Sequence, residues 1–243
     1  MRQHFFTGIG LALTLLMQFL CACTHAPKGN EGEVQIVGAM RNTMWKGELA
    51  GIIHLDTLRG KENLYGLGPV ENLSGELLIL NGKSYKSEVR SDSTMRVTET
   101  FDVKAPFFSY ARIEKWIENE LPDSILTIVQ LEKYLNTVVQ DRKQPLFFRI
   151  EGRVKNAHVH VVNLPKGSTV SSPTEAHRGQ VNYRIENQSV EILGFYSTRH
   201  KAIFTHHNTN VHMHLITQDL QRMGHVDKLS LIGGTAVLYL PAL

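Results

Sequence analysis

The chain reads as an α+β protein, two-lobed, built on largely antiparallel or mixed β-sheets with a few helices. Three observations predict this. From Leu146 onward the chain is a series of short apolar runs of strand length. Asn81-Gly82 sits between two apolar runs, a strong hairpin signal. The clearest helical period spans Ser124 to Val139, where Ile125, Ile128, Leu131, Tyr134 and Leu135 recur at three- and four-residue spacing.

The first 22 residues stand apart from the globule. Arg2 gives a positive start, Phe5 to Leu20 are apolar, and Leu20-Cys21-Ala22-Cys23 resembles a bacterial lipobox. Residues 1–22 are therefore expected to be a lipoprotein signal peptide, cut before Cys23, which then carries lipid. That predicts a membrane-anchored lipoprotein of the bacterial cell envelope. A plain secretory signal or an uncleaved anchor is the alternative. Residues 23–33 read as a flexible tether. Both cysteines lie in this leader, so the globule, residues 34–243, can hold no disulfide and no thiolate metal ligand.

Val34 to His54 predicts a strand followed by short helices. Tyr65-Gly66-Leu67-Gly68 reads as a glycine-punctuated loop leading to a strand over 75–80, the Asn81-Gly82 turn and a return strand from Lys83. Arg96 to Phe108 reads as one more strand ending at Pro106. The amphipathic helix follows, with Asp123 or Ser124 as its N-cap. Asp141 to Pro145 reads as a hinge between lobes of about 34–143 and 144–243. Strands are then expected over 146–150, 157–162, 190–196, 211–217, 227–231 and 236–240, with a polar loop over 168–179. A formal charge of +3 without any long basic block excludes nucleic acid as the main partner.

The chemistry concentrates in histidines. His212 and His214 alternate on a strand and so share a face. His225, after Gly224, can return on a neighbouring strand and close a three-imidazole site with one position open, as catalytic zinc requires. The bland reading is that these are ordinary core or surface histidines. His158 and His160 form a competing alternating pair, and His200, His206 and His207 are loop histidines. Glu76 opens an apolar strand and is either an exposed strand-end carboxylate or a proton donor and acceptor beside a metal. Arg149 interrupts Leu146-Phe147-Phe148-Arg149-Ile150, and either points to solvent or turns inward to clamp a carboxylate.

An ordered series of segments resembles the α-acetolactate decarboxylase family. The series runs through Tyr65-Gly66-Leu67-Gly68, Gly75-Glu76-Leu77, Asn81-Gly82, Ala105-Pro106-Phe107, Arg149-Ile150-Glu151-Gly152 and Ile192-Leu193-Gly194-Phe195-Tyr196. It ends with His212-Met213-His214 and Gly224-His225-Val226. The resemblance covers roughly residues 35–240. It implies Zn²⁺ held by His212, His214 and His225, with Glu76 and Arg149 as catalytic residues. It also implies a 2-acetolactate-like substrate converted to acetoin and CO2, and a homodimer. In this scheme zinc takes the neighbouring oxygens of a 2-hydroxy-3-oxo acid and stabilises the enediolate left by CO2. Arg149 holds the carboxylate and Glu76 delivers a proton.

The chain departs from the family in two places. No glutamate follows Glu191, where the family supplies a further active-site glutamate from its C-terminal tail. His158 and His160 stand where the family has other residues, so either one can face the cleft. The alternative reading is a non-catalytic, surface-tethered zinc- or small-acid-binding lipoprotein on the same fold. A structural envelope protein with incidental histidines is the third, and it predicts no stoichiometric metal.

Overall fold

The computed structural model describes Met1, residues 31–205 and residues 208–242. Cys23, the rest of the signal segment, His206 and His207 lie outside the described residues. The first half runs β1 (Gln35–Val37), α1 (Met40–Lys46), β2 (Ile53–His54), β3 (Leu64–Pro69), β4 (Glu76–Leu80), β5 (Lys83–Val89), β6 (Met95–Glu99), β7 (Lys104–Ala105) and β8 (Phe108–Arg112). The second runs β9 (Trp116–Glu120), α2 (Ile128–Val138), β10 (Leu146–Val161), α3 (Pro173–Ala176), β11 (Val181–Tyr196), β12 (Val211–Thr217), β13 (Met223–Leu231) and β14 (Val237–Pro241). The architecture is mostly antiparallel sheet with few helices, the α+β class the sequence predicts.

Six strands form the first sheet, in the order β1-β8-β3-β4-β5-β6. The second sheet runs β11-β12-β13-β10-β14-β9, and β10 also pairs with β11. That extra ladder closes β10, β11, β12 and β13 into a ring. Apolar side chains fill its interior, among them Phe148, Ile150, Ile192, Met213 and Leu215. A second apolar layer lies between the sheets, with Leu78, Phe147, Leu193, Phe195, Phe204 and Ile216. A third backs the first sheet with Leu77, Ile79 and Phe108. Strand β4 is buried on both faces, which is why Leu77-Leu78-Ile79-Leu80 is apolar without interruption. Its alternation aims Leu78 and Leu80 at the second sheet, and Glu76 shares their parity.

Several elements differ from the sequence reading for local reasons. Leu64–Pro69 is a buried strand, although its glycines suggested a loop. Gly66 and Gly68 instead admit Phe108, whose ring atoms lie 2.7 and 2.9 Å from where their Cβ atoms would be. The expected strand over 96–108 breaks into β6, β7 and β8. The helix starts later, because Thr127 and not Asp123 or Ser124 caps it. Gln130 N–H donates to Thr127 Oγ1 at 3.3 Å, and Thr127 N–H donates to Gln130 Oε1 at 3.0 Å, a capping box. The hairpin is as expected, with Asn81 and Gly82 both at positive φ.

The two short strands expected over 146–150 and 157–162 are one continuous β10. The crossover between sheets also comes earlier than the Asp141–Pro145 hinge. Strand β9 already belongs to the second sheet, since Ile117 and Asn119 pair with Leu240 and Leu238 of β14.

Candidate metal and proton-transfer site

Strand β12 alternates cleanly. Val211, Met213 and Leu215 enter the ring interior, and Ile216 joins the layer between the sheets. His212 and His214 share the parity of Ile216 and so face the first sheet. Register does the rest. His214 lies opposite His225 of β13, and His225 lies opposite His160 of β10. Three imidazoles therefore form one row across three strands, with His212 beside it.

All four rings are buried. Ring centroids are 5.2 Å apart for His212–His214, 4.9 Å for His212–His225 and 5.7 Å for His214–His225. Bonds of about 2.0–2.1 Å at tetrahedral angles would put three such centroids roughly 5 Å apart. The orientation of two rings is fixed by backbone. His212 Nδ1 lies 2.7 Å from Phe204 O, and His214 Nδ1 lies 2.8 Å from Leu77 O. A carbonyl only accepts, so each Nδ1 carries the proton and each Nε2 presents its lone pair. His214 Nε2 is fully buried without a hydrogen bond and lies 3.6 Å from Glu76 Oε2.

Glu76 reaches the histidines from the other sheet. Gly75 precedes it because a Cβ there would lie 2.3 Å from Ser87 O, so only glycine lets β4 start this close to β5. Glu76 is 3 % exposed and accepts from Val162 N–H at 3.2 Å. A small cavity has Glu76, His160, His177, His212 and His225 in its polar lining.

The sequence reading left the roles of His158 and His160 open, and the structure separates them. His160 is buried, its ring stacked on His225 at 4.6 Å, while His158 is half-buried and outside the cavity lining. His160 Nδ1 donates to both oxygens of Asp227 at 2.8 and 2.9 Å, and His225 Nδ1 lies 3.4 Å from the same carboxylate. Asp227 escaped the sequence reading. It sits at a bulge, where His158 pairs with Lys228 and Val159 with Val226, leaving Asp227 unmatched. Potential donor atoms of His160, His225 and Asp227 all lie within 4.8 Å of one another.

Arg149 is not brought into this cavity. Across the sheet it lies opposite Leu193, which in turn lies opposite His214. Its guanidinium pairs with Glu151 at 2.9 Å and Glu191 at 3.2 Å, and stacks over Tyr239 at 4.6 Å and Trp116 at 5.6 Å. It does point inward from the apolar run, but its anions are the protein's own.

A family model described as alpha-acetolactate decarboxylase matches residues 38–238. The chain belongs to this family. The alpha-acetolactate decarboxylase of Lactococcus lactis subsp. cremoris (strain MG1363) is 26% identical over 212 residues, covering 82% of this chain and 77% of that one. This chain has the fold of the alpha-acetolactate decarboxylase of Bacillus subtilis strain 168, at a TM-score of 0.68 and 22% identity over 86% of each chain. A Staphylococcus aureus protein of unknown function, similar to alpha-acetolactate decarboxylase, superposes equally well, with a TM-score of 0.68 and 18% identity over 85% and 84% of the two chains. The family's named activity is a carboxy-lyase reaction on a small molecule.

The electrostatics of this acetolactate decarboxylase-family site follow from burial. Desolvation pushes the Glu76 carboxyl up to about 8, against the opposing pull of His160 and the Val162 N–H. Burial, helped by the neighbouring His225, holds His214 well below the ordinary histidine range, so it is a neutral donor. Desolvation also pulls His160 down, but the Asp227 hydrogen bond and the nearby Glu76 carboxylate outweigh it and leave it raised. Burial would raise Asp227, yet His160 and His225 hold it well below the carboxylate range.

Proposed function

We propose that this chain decarboxylates 2-acetolactate, or a similar 2-hydroxy-3-oxo acid, to acetoin and CO2 in a Zn²⁺-dependent reaction. His212, His214 and His225 would hold the ion. The donor set fits: three buried imidazoles, two with their Nδ1 protons committed to carbonyls, and a buried His214 Nε2 without a hydrogen bond. When bound, zinc supplies Lewis acidity that polarises the substrate ketone and stabilises the charge left as CO2 departs.

The observation that carries the reading is the placement of Glu76. Its carboxyl is 3 % exposed and lies 3.6 Å from His214 Nε2, on the lining of the cavity that also holds His212 and His225. From there it is placed to pass a proton to the carbon from which CO2 has left. Burial of the site keeps bulk water from competing for that carbon. Arg149 would bind a substrate carboxylate only by exchanging Glu191 for it, so its contribution depends on that ion pair opening.

The test is acetoin release by the full chain, with and without chelator. His212→Ala should abolish it along with bound zinc. Turnover that survives in that variant removes the mechanism.

The lipobox supports a further proposal, that lipid on Cys23 anchors the protein at the cell envelope. Among the described residues no helix is long and apolar enough to cross a membrane. Cys23→Ser should release the protein from the detergent phase on Triton partition; retention there would refute the anchor.

A further inference from the structure

The sequence of α1 is amphipathic in a way that the proposed chemistry does not use. Met40 and Met44 are four residues apart and so lie on one face of the helix. Both are buried, at 8 % and 7 % exposure, and both line the cavity that holds Glu76 and the histidines. Trp45, the next residue, is 59 % exposed. The helix therefore turns its two thioethers into the site and leaves its largest aromatic outside.

The position of α1 is fixed at both ends. Gly38 precedes it at φ +71°, where a Cβ would lie 2.5 Å from Pro106 O. Gly47 ends it at φ +68°, where a Cβ would lie 2.7 Å from Val170 O. At each end the backbone needs a left-handed conformation and a close approach, which only glycine combines. Met40 N–H also donates to Ile203 O at 2.7 Å, next to Phe204, whose carbonyl holds His212. The helix is thus tied to the loop that orients a proposed zinc ligand.

We infer that Met40 and Met44 form the wall that receives the alkyl substituent on C2 of the substrate, and that they set which 2-alkyl-2-hydroxy-3-oxo acids the site accepts. This rests on the decarboxylase reading above. The substrate's oxygens need the polar lining, so its alkyl groups must be directed to apolar surface, where leaving them against imidazole or carboxylate would desolvate polar groups without replacement. The apolar lining comes from Met40, Met44, Pro69, Phe107 and Val162. Of these, Pro69, Phe107 and Val162 belong to the sheets or to the segments joining their strands. The two methionines are unbranched side chains that can shift to fit one methylene more or less.

The experiment compares 2-acetolactate with its 2-ethyl homologue, using the zinc-loaded full chain. Met44→Ala should move the kcat/KM ratio toward the ethyl substrate by roughly tenfold, the usual scale for one methylene in an apolar pocket. Met44→Phe should move it the other way, and Trp45→Ala should leave it unchanged. A parallel readout needs no turnover: the ratio of affinities for 2-hydroxyisobutyrate and 2-hydroxy-2-methylbutyrate, by calorimetry. If both ratios stay fixed in Met40→Ala and in Met44→Ala, with zinc content and circular dichroism intact, the wall is refuted. Should an alanine variant lose zinc or structure, Met44→Leu keeps the volume, and its ratio against Met44→Phe decides. If the wild type turns over neither substrate, the decarboxylase reading falls, and the affinity ratio alone decides the wall.

Discussion

Replacing Glu76 by glutamine should make the metal-free protein more stable at alkaline pH, although it removes a charge from the proposed active site. Glu76 ionises near 4.5 in the unfolded chain and near 8 in the folded one, because burial penalises its charged form. Between those values the folded state keeps a proton that the unfolded state has released. Stability therefore falls as pH rises from about 4.5 and levels off above about 8. Each pKa unit is worth about 1.4 kcal/mol, so the full penalty is on the order of 5 kcal/mol. Glutamine has nearly the same shape, cannot ionise, and keeps an oxygen for the Val162 N–H. Urea unfolding of chelator-treated protein should give similar stabilities for Glu76→Gln and wild type at pH 4.5. By pH 8.5 the variant should be more stable by several kcal/mol. The difference between the two curves isolates Glu76 from other titrating groups. Saturating zinc should shrink that difference, because a cation beside the carboxylate favours its charged form. Parallel curves from pH 4.5 to 8.5 would refute the assignment of Glu76 as a desolvated acid.

Asp227→Asn weakens the support of His160 and His225 and should lower zinc affinity by about 10- to 100-fold, read by chelator competition. Arg149→Met leaves the half-buried Glu191 without its partner and should cost about 1–2 kcal/mol at pH 7. The cost should be smaller at pH 5, since desolvation already raises the Glu191 carboxyl and a proton then neutralises it; denaturant melts at both pH values check this. Gly194→Ala puts a Cβ 2.0 Å from the Phe148 ring, inside the packed interior of the barrel. It should lower stability by about 3 kcal/mol or more, seen as a fall in Tm. The added change Phe148→Ala should recover part of the packing clash.

Much of the fold was legible because burial and alternation leave marks in composition. The doubly buried β4 is an unbroken apolar run, β12 alternates histidine with apolar residues, and Asn81-Gly82 supplies the positive φ values its turn needs. The misreadings have local causes. A glycine kept for close approach looks the same in sequence as a glycine kept for a turn, so β3, which brings Gly66 and Gly68 against Phe108, read as a loop. Likewise, β9 has little apolar signal because it is an edge strand with exposed side chains. Only its pairing with β14 reveals that the second sheet begins there.

The site divides along the same line. His212 and His214 can be paired from sequence, since two residues on one strand always share a face. His225 follows, because only a short turn separates it from β12 and the register is local. His160 and Asp227 belong to a different class. They meet only because β10 and β13, more than sixty positions apart, pair with one extra residue on β13. Without that bulge the alternation beyond it would reverse, and Leu229 and Leu231 would leave the ring interior that they now share with Val226. The bulge is thus constrained from two directions: by the apolar core on one face and by the His160–Asp227–His225 cluster on the other. A deletion of the unmatched residue keeps the first and loses the second. If Asp227 were removed and β13 kept its register to His225, Val226 and Lys228 would alternate regularly, Leu229 and Leu231 would stay inward, and only the carboxylate partner of His160 and His225 would be lost. The extra residue on β13 therefore serves the His160–Asp227–His225 cluster, and the packing of the barrel accommodates it.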